Sequence, residues 1–153
     1  YVGATMNPVR NLSLNGSVTA TYGKYTNEQK EVVPMDHIPP MYGKIGASYN
    51  FSKLKLEGFM RFSAAKKLAD YSPSGEDNLS QTAVTAVNAK GEATAWAGTA
   101  AWYTLNFRAA YDVTKHINLN AGIENILDRH YRQFASGVSA PGRNIYGTLR
   151  VNF

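Results

Sequence analysis

The chain has 153 residues, no cysteine and a formal charge of +5, with a mean hydropathy of −0.33. This length suits one domain, the lack of Cys excludes disulfides and thiolate metal sites, and no window approaches the roughly eighteen apolar residues of a membrane-crossing helix. The basic residues are scattered rather than gathered in a stripe, which argues against nucleic acid as a partner.

In chain order, Tyr1, Gly3 and Thr5 alternate with Val2, Ala4 and Met6, like the tail of a strand already under way. With no initiator Met and no charged-then-apolar leader, this predicts a piece of a longer chain. A polar turn at Asn7–Asn11, punctuated by Pro8, follows. A strand is expected from about Leu12 to Tyr25, with Leu12, Leu14, Val18, Ala20 and Tyr22 against Ser13, Asn15, Ser17, Thr19 and Thr21. Residues Thr26–Pro40 read as a loop, closed by Pro39-Pro40, which blocks strand pairing.

Met41–Phe51 alternates again, turns at Asn50–Lys53, and returns through Leu54, Leu56, Met60 and Phe62 against Lys55, Glu57, Arg61 and Ser63. A long connection spans Ala64–Ala101, and a hairpin within it is expected from Thr82–Val87 and Glu92–Trp96 about Asn88-Ala89-Lys90-Gly91. The last third is the most regular. Tyr103, Leu105, Phe107, Tyr111 and Val113 alternate with Thr104, Asn106, Arg108 and Asp112. After a turn at Thr114-Lys115 come Ile117, Leu119 and Ile123 against Asn118, Asn120 and Glu124. Beyond a loop at Leu127–Gly142, Ile145, Leu149, Val151 and Phe153 face away from Asn144, Thr148 and Arg150.

Period-two patterning gives strands with one apolar and one polar face. A soluble sheet must cover the apolar face with a second layer, and this chain offers neither a helical pattern nor a continuous apolar run to do so. An antiparallel barrel in a bilayer needs no cover, because lipid meets the apolar face and water the polar one. Short turns alternate with long loops along the chain, the asymmetry of outer-membrane barrels, and ten Tyr and six Phe suit their interfacial girdles. The expected fold is therefore all-β, an antiparallel transmembrane β-barrel, with about six strands and an N-terminal stub in residues 1–153.

The stretch Gly122-Ile123-Glu124-Asn125-Ile126-Leu127-Asp128-Arg129-His130-Tyr131-Arg132, with Ala140-Pro141-Gly142-Arg143-Asn144-Ile145-Tyr146 and the ending Leu149-Arg150-Val151-Asn152-Phe153, resembles the closing strands of TonB-dependent outer-membrane receptors. The motif positions are Asn125, Asp128, Tyr131, Gly142 and Arg143; Ile126-Leu127 replaces the family's usual Leu-Phe. Ile38-Pro39-Pro40 and Trp102-Tyr103-Thr104-Leu105-Asn106 resemble further landmarks. The resemblance implies the C-terminal strands of a plugged barrel of about twenty-two strands, with the plug elsewhere. It also implies uptake of a scarce nutrient (siderophore-bound iron, cobalamin or a glycan) into the periplasm of a Gram-negative bacterium. Its implied partners are the rest of the barrel and the plug, the TonB complex, outer-membrane lipid, and the barrel-assembly machinery, which would read Phe153, Val151 and Leu149. No cofactor is implied.

Lys44, Glu57, Arg61, Arg108, Glu124 and Arg150 fall on the polar face and are candidates for contact with cargo or plug, or simply hydrated lumen ion pairs. Trp96 and Trp102 are candidates for a ligand vestibule, with a girdle place favoured for Trp102. Asp128 and Arg143 are placed to pair and hold the last loop. His37, His116 and His130 lack ligand spacing, and no nucleophile–base order or carboxylate dyad suggests an enzyme. The alternatives are a complete small outer-membrane barrel with a structural or adhesive role, an outer-membrane barrel lipase, and a soluble β-sandwich.

Overall fold

The computed structural model describes residues 1–153. It contains eleven strands in chain order: β1 Val2–Val9, β2 Leu12–Thr19, β3 Lys24–Thr26, β4 Val32–Pro34, β5 Tyr42–Phe51, β6 Leu54–Ser63, β7 Val84–Val87, β8 Ala93–Trp96, β9 Trp102–Asp112, β10 Ile117–Glu124 and β11 Asn144–Val151. Seven form one antiparallel sheet in the order β1-β2-β5-β6-β9-β10-β11. The other four make two small hairpins, β3-β4 and β7-β8, inside the long connections. There is no α-helix, only two three-residue 3-10 turns.

Pairing register carries the two-faced pattern across every strand. Ser17 faces Lys44, Lys44 faces Arg61, and Arg61 faces Thr104. Asn120 lies between Ala110 and Thr148. The polar series of each strand thus merges into one polar wall, because a slip of one residue would send a whole strand's polar set to the opposite face. On the other face Ile45 meets Met60, and Met60 meets Leu105. Tyr49, Phe51 and Tyr111 lie near the short-turn end of this face, and Phe62 and Tyr103 near the loop end.

Burial is inverted relative to a water-soluble domain. Tyr71 is the only buried hydrophobic residue, whereas Glu57, Lys66, Asp77, Thr104, Asn106 and Asn125 are buried polar ones. Ile45, Leu105, Phe107, Leu119, Ile145 and Leu149 stand exposed on the apolar face. Nothing in the chain covers that face, so the second layer a soluble β-sandwich needs is missing.

Three short turns close one end of the sheet and stitch their neighbours together. The Asn50 N–H donates to the Asn11 carbonyl, Asp112 to Lys53 and Asn152 to His116, each at 2.9 Å. At the third turn the Thr114 hydroxyl oxygen accepts the N–H groups of His116 and Ile117, both at 3.1 Å, a local bond of the kind that makes Thr a turn residue. All three long connections leave from the opposite end.

Several boundaries differ from those expected. The N-terminal stub is a full strand running to Val9, and the supposed turn at Asn7–Asn11 shrinks because the register shifts between Met6 and Val9. An irregularity of this kind accommodates Pro8, which has no N–H for the ladder. The second strand stops at Thr19, not Tyr25, and the following residues turn into the β3-β4 hairpin. The expected hairpin about Asn88–Gly91 is present as β7-β8. Phe153 lies beyond the end of β11 and is fully exposed.

Candidate functional site

The functional surface has two parts: the polar wall and the loops above it. On the wall, Glu57 is nearly buried between two cations. Lys44 Nζ donates to Oε1 at 2.9 Å, while Arg108 reaches Oε2 through Nε at 2.8 Å and Nη2 at 2.6 Å. Glu57 and Arg108 are cross-strand partners, so the sheet itself sets this contact. The Phe59 ring supports both cations, at 4.1 Å from Lys44 Nζ and 5.6 Å from the Arg108 guanidinium. The structure thus brings Lys44, Glu57 and Arg108 together. Arg61, Glu124 and Arg150 share the wall but have no ion-pair partner. Arg150 lines a shallow concavity with Lys55, Arg108 and Tyr146.

Replacing Glu57 with Gln leaves Lys44 and Arg108 facing each other without an anion. Because both cations are partly exposed, the expected destabilisation is modest, about 1–2 kcal/mol. Urea unfolding of the intact protein measures it, and a midpoint that does not move would mean that solvent already screens the two cations from each other.

Above the wall, the three connections converge on Lys66. Its side chain is 3% exposed and that of its partner Asp77 2%, with Nζ 3.3 Å from Oδ2. Nζ also donates to the Ile38 carbonyl at 2.6 Å and lies 4.2 Å from the Phe134 ring centroid and 5.0 Å from that of Tyr71. Ile38 belongs to the first loop, Tyr71 and Asp77 to the second, Phe134 to the third. The other Asp77 oxygen accepts the His37 backbone N–H at 2.9 Å. Tyr71 shares a hydroxyl–hydroxyl hydrogen bond with Thr99 at 2.7 Å, and Thr99 forms a two-way backbone bridge with Lys66. Gly98, at φ +81°, brings its Cα so close to the Lys66 carbonyl that an added Cβ would sit 2.2 Å from that oxygen; only glycine fits there. At the exposed edge of this cluster the Ser74 hydroxyl, with help from Ser72, holds the Asp36 carboxyl below its usual range. Asn78 donates to the Ala135 carbonyl at 2.8 Å and Arg132 to that of Gln81, so the second and third loops are tied twice more.

The family-motif positions form a turn rather than a ligand site. Asn125 is 3% exposed with φ +49°. Its amide oxygen accepts the Arg129 N–H at 2.9 Å, and its amide nitrogen donates to the carbonyls of Arg129 at 2.8 Å and Pro141 at 3.3 Å. Its own N–H donates to the side-chain oxygen of Asn106 at 3.0 Å. Asp128 and Arg143 do meet, but not as an ion pair: the Arg143 backbone N–H donates to Asp128 Oδ1 at 2.7 Å, and its guanidinium goes to the Ile126 carbonyl at 2.9 Å. A Cβ on Gly142 would lie 2.6 Å from that same Asp128 oxygen, so a side chain there would push the carboxylate off the turn. Tyr131 stacks on Trp102 with ring centroids 4.3 Å apart. Trp102 lies on the polar side, opposite Ser63, and not in the girdle favoured for it; strand parity puts Tyr103 on the apolar face instead. Leu149 and Val151 are exposed on the apolar face of the edge strand β11.

Sequence reasoning passed over Lys66, Asp77, Tyr71, Phe134 and Asn106. They lie in aperiodic loops or have partners far along the chain, and only Asn106, an amide inside a regular strand, carried any local signal.

A meander with one bare apolar face, one charged face and all long loops at one end defines the wall of a transmembrane β-barrel. The chain belongs to the TonB-dependent receptor family: the model described as "TonB dependent receptor-like, beta-barrel" matches residues 3–126. The match stops short of Asp128, Tyr131, Gly142 and Arg143. Transferrin-binding protein A of Neisseria gonorrhoeae is 27% identical over an alignment taking in 77% of this chain and 14% of that protein. Among solved structures, the copper transporter OprC superposes with a TM-score of 0.73 at 21% identity, covering 99% of this chain and 22% of that one. A ferric enterobactin receptor from Pseudomonas aeruginosa gives a TM-score of 0.67 at 17% identity, again covering 99% and 22%. At these identities the two structures speak for the fold alone. The chain spans less than a quarter of each of these three proteins.

Proposed function

We propose that residues 1–153 are the C-terminal part of the barrel of a TonB-dependent receptor in the outer membrane of a Gram-negative bacterium. The whole receptor binds a scarce nutrient at its outer face and imports it into the periplasm under control of a plug supplied by another part of the protein and of the TonB complex. The observation that carries this reading is the continuous polar wall under three interlocked loops, in a chain of this family. The open sheet, with β1 and β11 as separate edges, supports a large barrel that other strands complete, in preference to a small one made by this chain alone. In this reading Phe153, Val151 and Leu149 address the barrel-assembly machinery, and Lys44, Glu57, Arg61, Arg108, Glu124 and Arg150 face plug and cargo. The role is transport rather than catalysis. The relatives' names speak of transferrin, copper and enterobactin, and such variety keeps the cargo here at the level of a scarce nutrient.

The β7-β8 hairpin is the best-separated recognition element. The Ala97 N–H donates to the Ala83 carbonyl at 2.9 Å, so residues 84–96 can be excised and their ends joined with Gly98 left in place. Cells carrying that deletion should lose most uptake of the cargo while the receptor still runs as a folded, heat-modifiable band. The cargo itself is sought with labelled ferric chelates, cobalamin, copper and oligosaccharides in strains with and without the receptor. Uptake that survives loss of the receptor, or that ignores loss of TonB, would sink the transport reading for every probe tested.

A further inference from the structure

His37, in the first loop, is set between two carboxylates of the second. Its Nε2 lies 3.1 Å from Glu76 Oε2 and its Nδ1 3.3 Å from Asp77 Oδ1. The same Asp77 oxygen accepts the His37 backbone N–H at 2.9 Å. His37 holds φ +60°, an uncommon setting for a residue other than Gly, so the loop closes on Asp77 against a local backbone preference.

A neutral imidazole has one N–H and one lone pair, whereas the imidazolium has two N–H groups; an ionised carboxylate only accepts. In either neutral tautomer, one ring nitrogen of His37 turns a lone pair on a carboxylate oxygen. Only the protonated ring suits both contacts. The surrounding charges agree. From its own loop, Asp36 adds a third carboxylate, which the Ser74 hydroxyl, with help from Ser72, holds below the usual range and so keeps ionised. From the second loop, Lys66 is the one cation, with Nζ 3.3 Å from the other Asp77 oxygen. The third loop meets this cluster through the uncharged Phe134 ring on Lys66. Three carboxylates against one ammonium leave a place for the charge of the imidazolium.

We infer that His37 is a pH-operated latch between the first and second loops, closed while its ring is protonated and eased when the proton leaves to water. The closed form uses a proton that the open form does not need, so acid favours closure. Histidine side chains change charge between about pH 5 and 8; the latch is set at the acid end of that window and lost as pH rises through it. Asp77 keeps Lys66 throughout, so easing releases the corner at His37 and the Glu76 side chain while the sheet stays as it is. In the transport reading this tightens the outer mouth in acid and loosens it near neutrality. The experiment below reads the latch itself, so its result stands whether or not the chain serves transport.

The test is hydrogen exchange of the intact receptor at about pH 5.5 and about pH 8, the two ends of the histidine window, with each rate divided by that of the unstructured chain at the same pH. Protection of the His37 amide should fall about threefold to tenfold from the acid to the alkaline condition, as two partly exposed ion pairs imply, and that of the β6 amides should not change. His37→Gln keeps the amide but cannot take up the charge; its fall should be about twofold or less, with protection near the alkaline value of the wild type at both ends. An equal fall in wild type and variant overturns the latch. So does a wild-type amide whose protection ignores pH, or a fall shared equally by β6, which would report general loosening. Should His37→Gln not assemble, Glu76→Gln at its exposed position takes its place: it removes one of the two acceptors and should cut the fall by about half, and an undiminished fall overturns the latch.

Discussion

Replacing Lys66 with Met should free the outer loops while leaving the seven-stranded sheet intact. The substitution keeps the volume between Tyr71 and Phe134 but leaves the Asp77 carboxylate, 2% exposed, with only the His37 groups as near partners. Removing one member of a buried ion pair costs about 3–5 kcal/mol, mostly because the survivor stays charged and dry. Removing both charges, as in Lys66→Met with Asp77→Leu, should recover a substantial part of that loss. Hydrogen exchange of the intact receptor separates the outcomes: amides of Tyr71 and Thr99 should exchange much faster in the single variant, and those of β6 and β9 should not change. Unaltered exchange at Tyr71 and Thr99 would show that the loops are held by something other than this ionic knot.

The second large effect is expected at Asn125. Alanine there loses three side-chain hydrogen bonds and must still adopt φ +49°, a conformation Asn tolerates better than Ala. Together these should destabilise the turn by about 2–4 kcal/mol. Gly at the same position relieves only the backbone conformation and should fall between. The turn sets Arg129 on Tyr103 and Tyr131 on Trp102 and ties down the Arg129 backbone, so its loss should loosen the backbone around the arginines. Trypsin should cleave the intact Asn125→Ala receptor after Arg129 or Arg132 much sooner than the wild type, with assembly of the barrel preserved. Cleavage at the wild-type rate would move the anchoring role from Asn125 to the Trp102–Tyr131 stack.

What the sequence disclosed follows from the range of the forces involved. Period-two alternation is a property of each strand, and the register of seven strands can be inferred once every polar set must share one wet face. The β7-β8 hairpin was legible because Asn88-Ala89-Lys90-Gly91 is local turn chemistry, and Gly91 does take a positive φ. The Lys66–Asp77–Ile38 junction was not legible, because three aperiodic loops contribute to it and no spacing marks its members. The end of β2 was misjudged for a related reason: Ala20 and Tyr22 continue the alternation, but there the chain leaves the sheet for the β3-β4 hairpin. Trp102 suits a girdle by residue type, yet its parity beside Tyr103 sets it on the polar face, opposite Ser63.

Each strand of the main sheet pairs only with its neighbours in sequence. Such a wall behaves as a one-dimensional array, in which every hairpin answers to the two beside it and to no distant strand. Loop closure is then paid in small local steps, which favours growth of the sheet one hairpin at a time from an existing edge. The same arrangement lets a hairpin be duplicated or removed with its register intact, changing the width of the wall without disturbing the strands that remain.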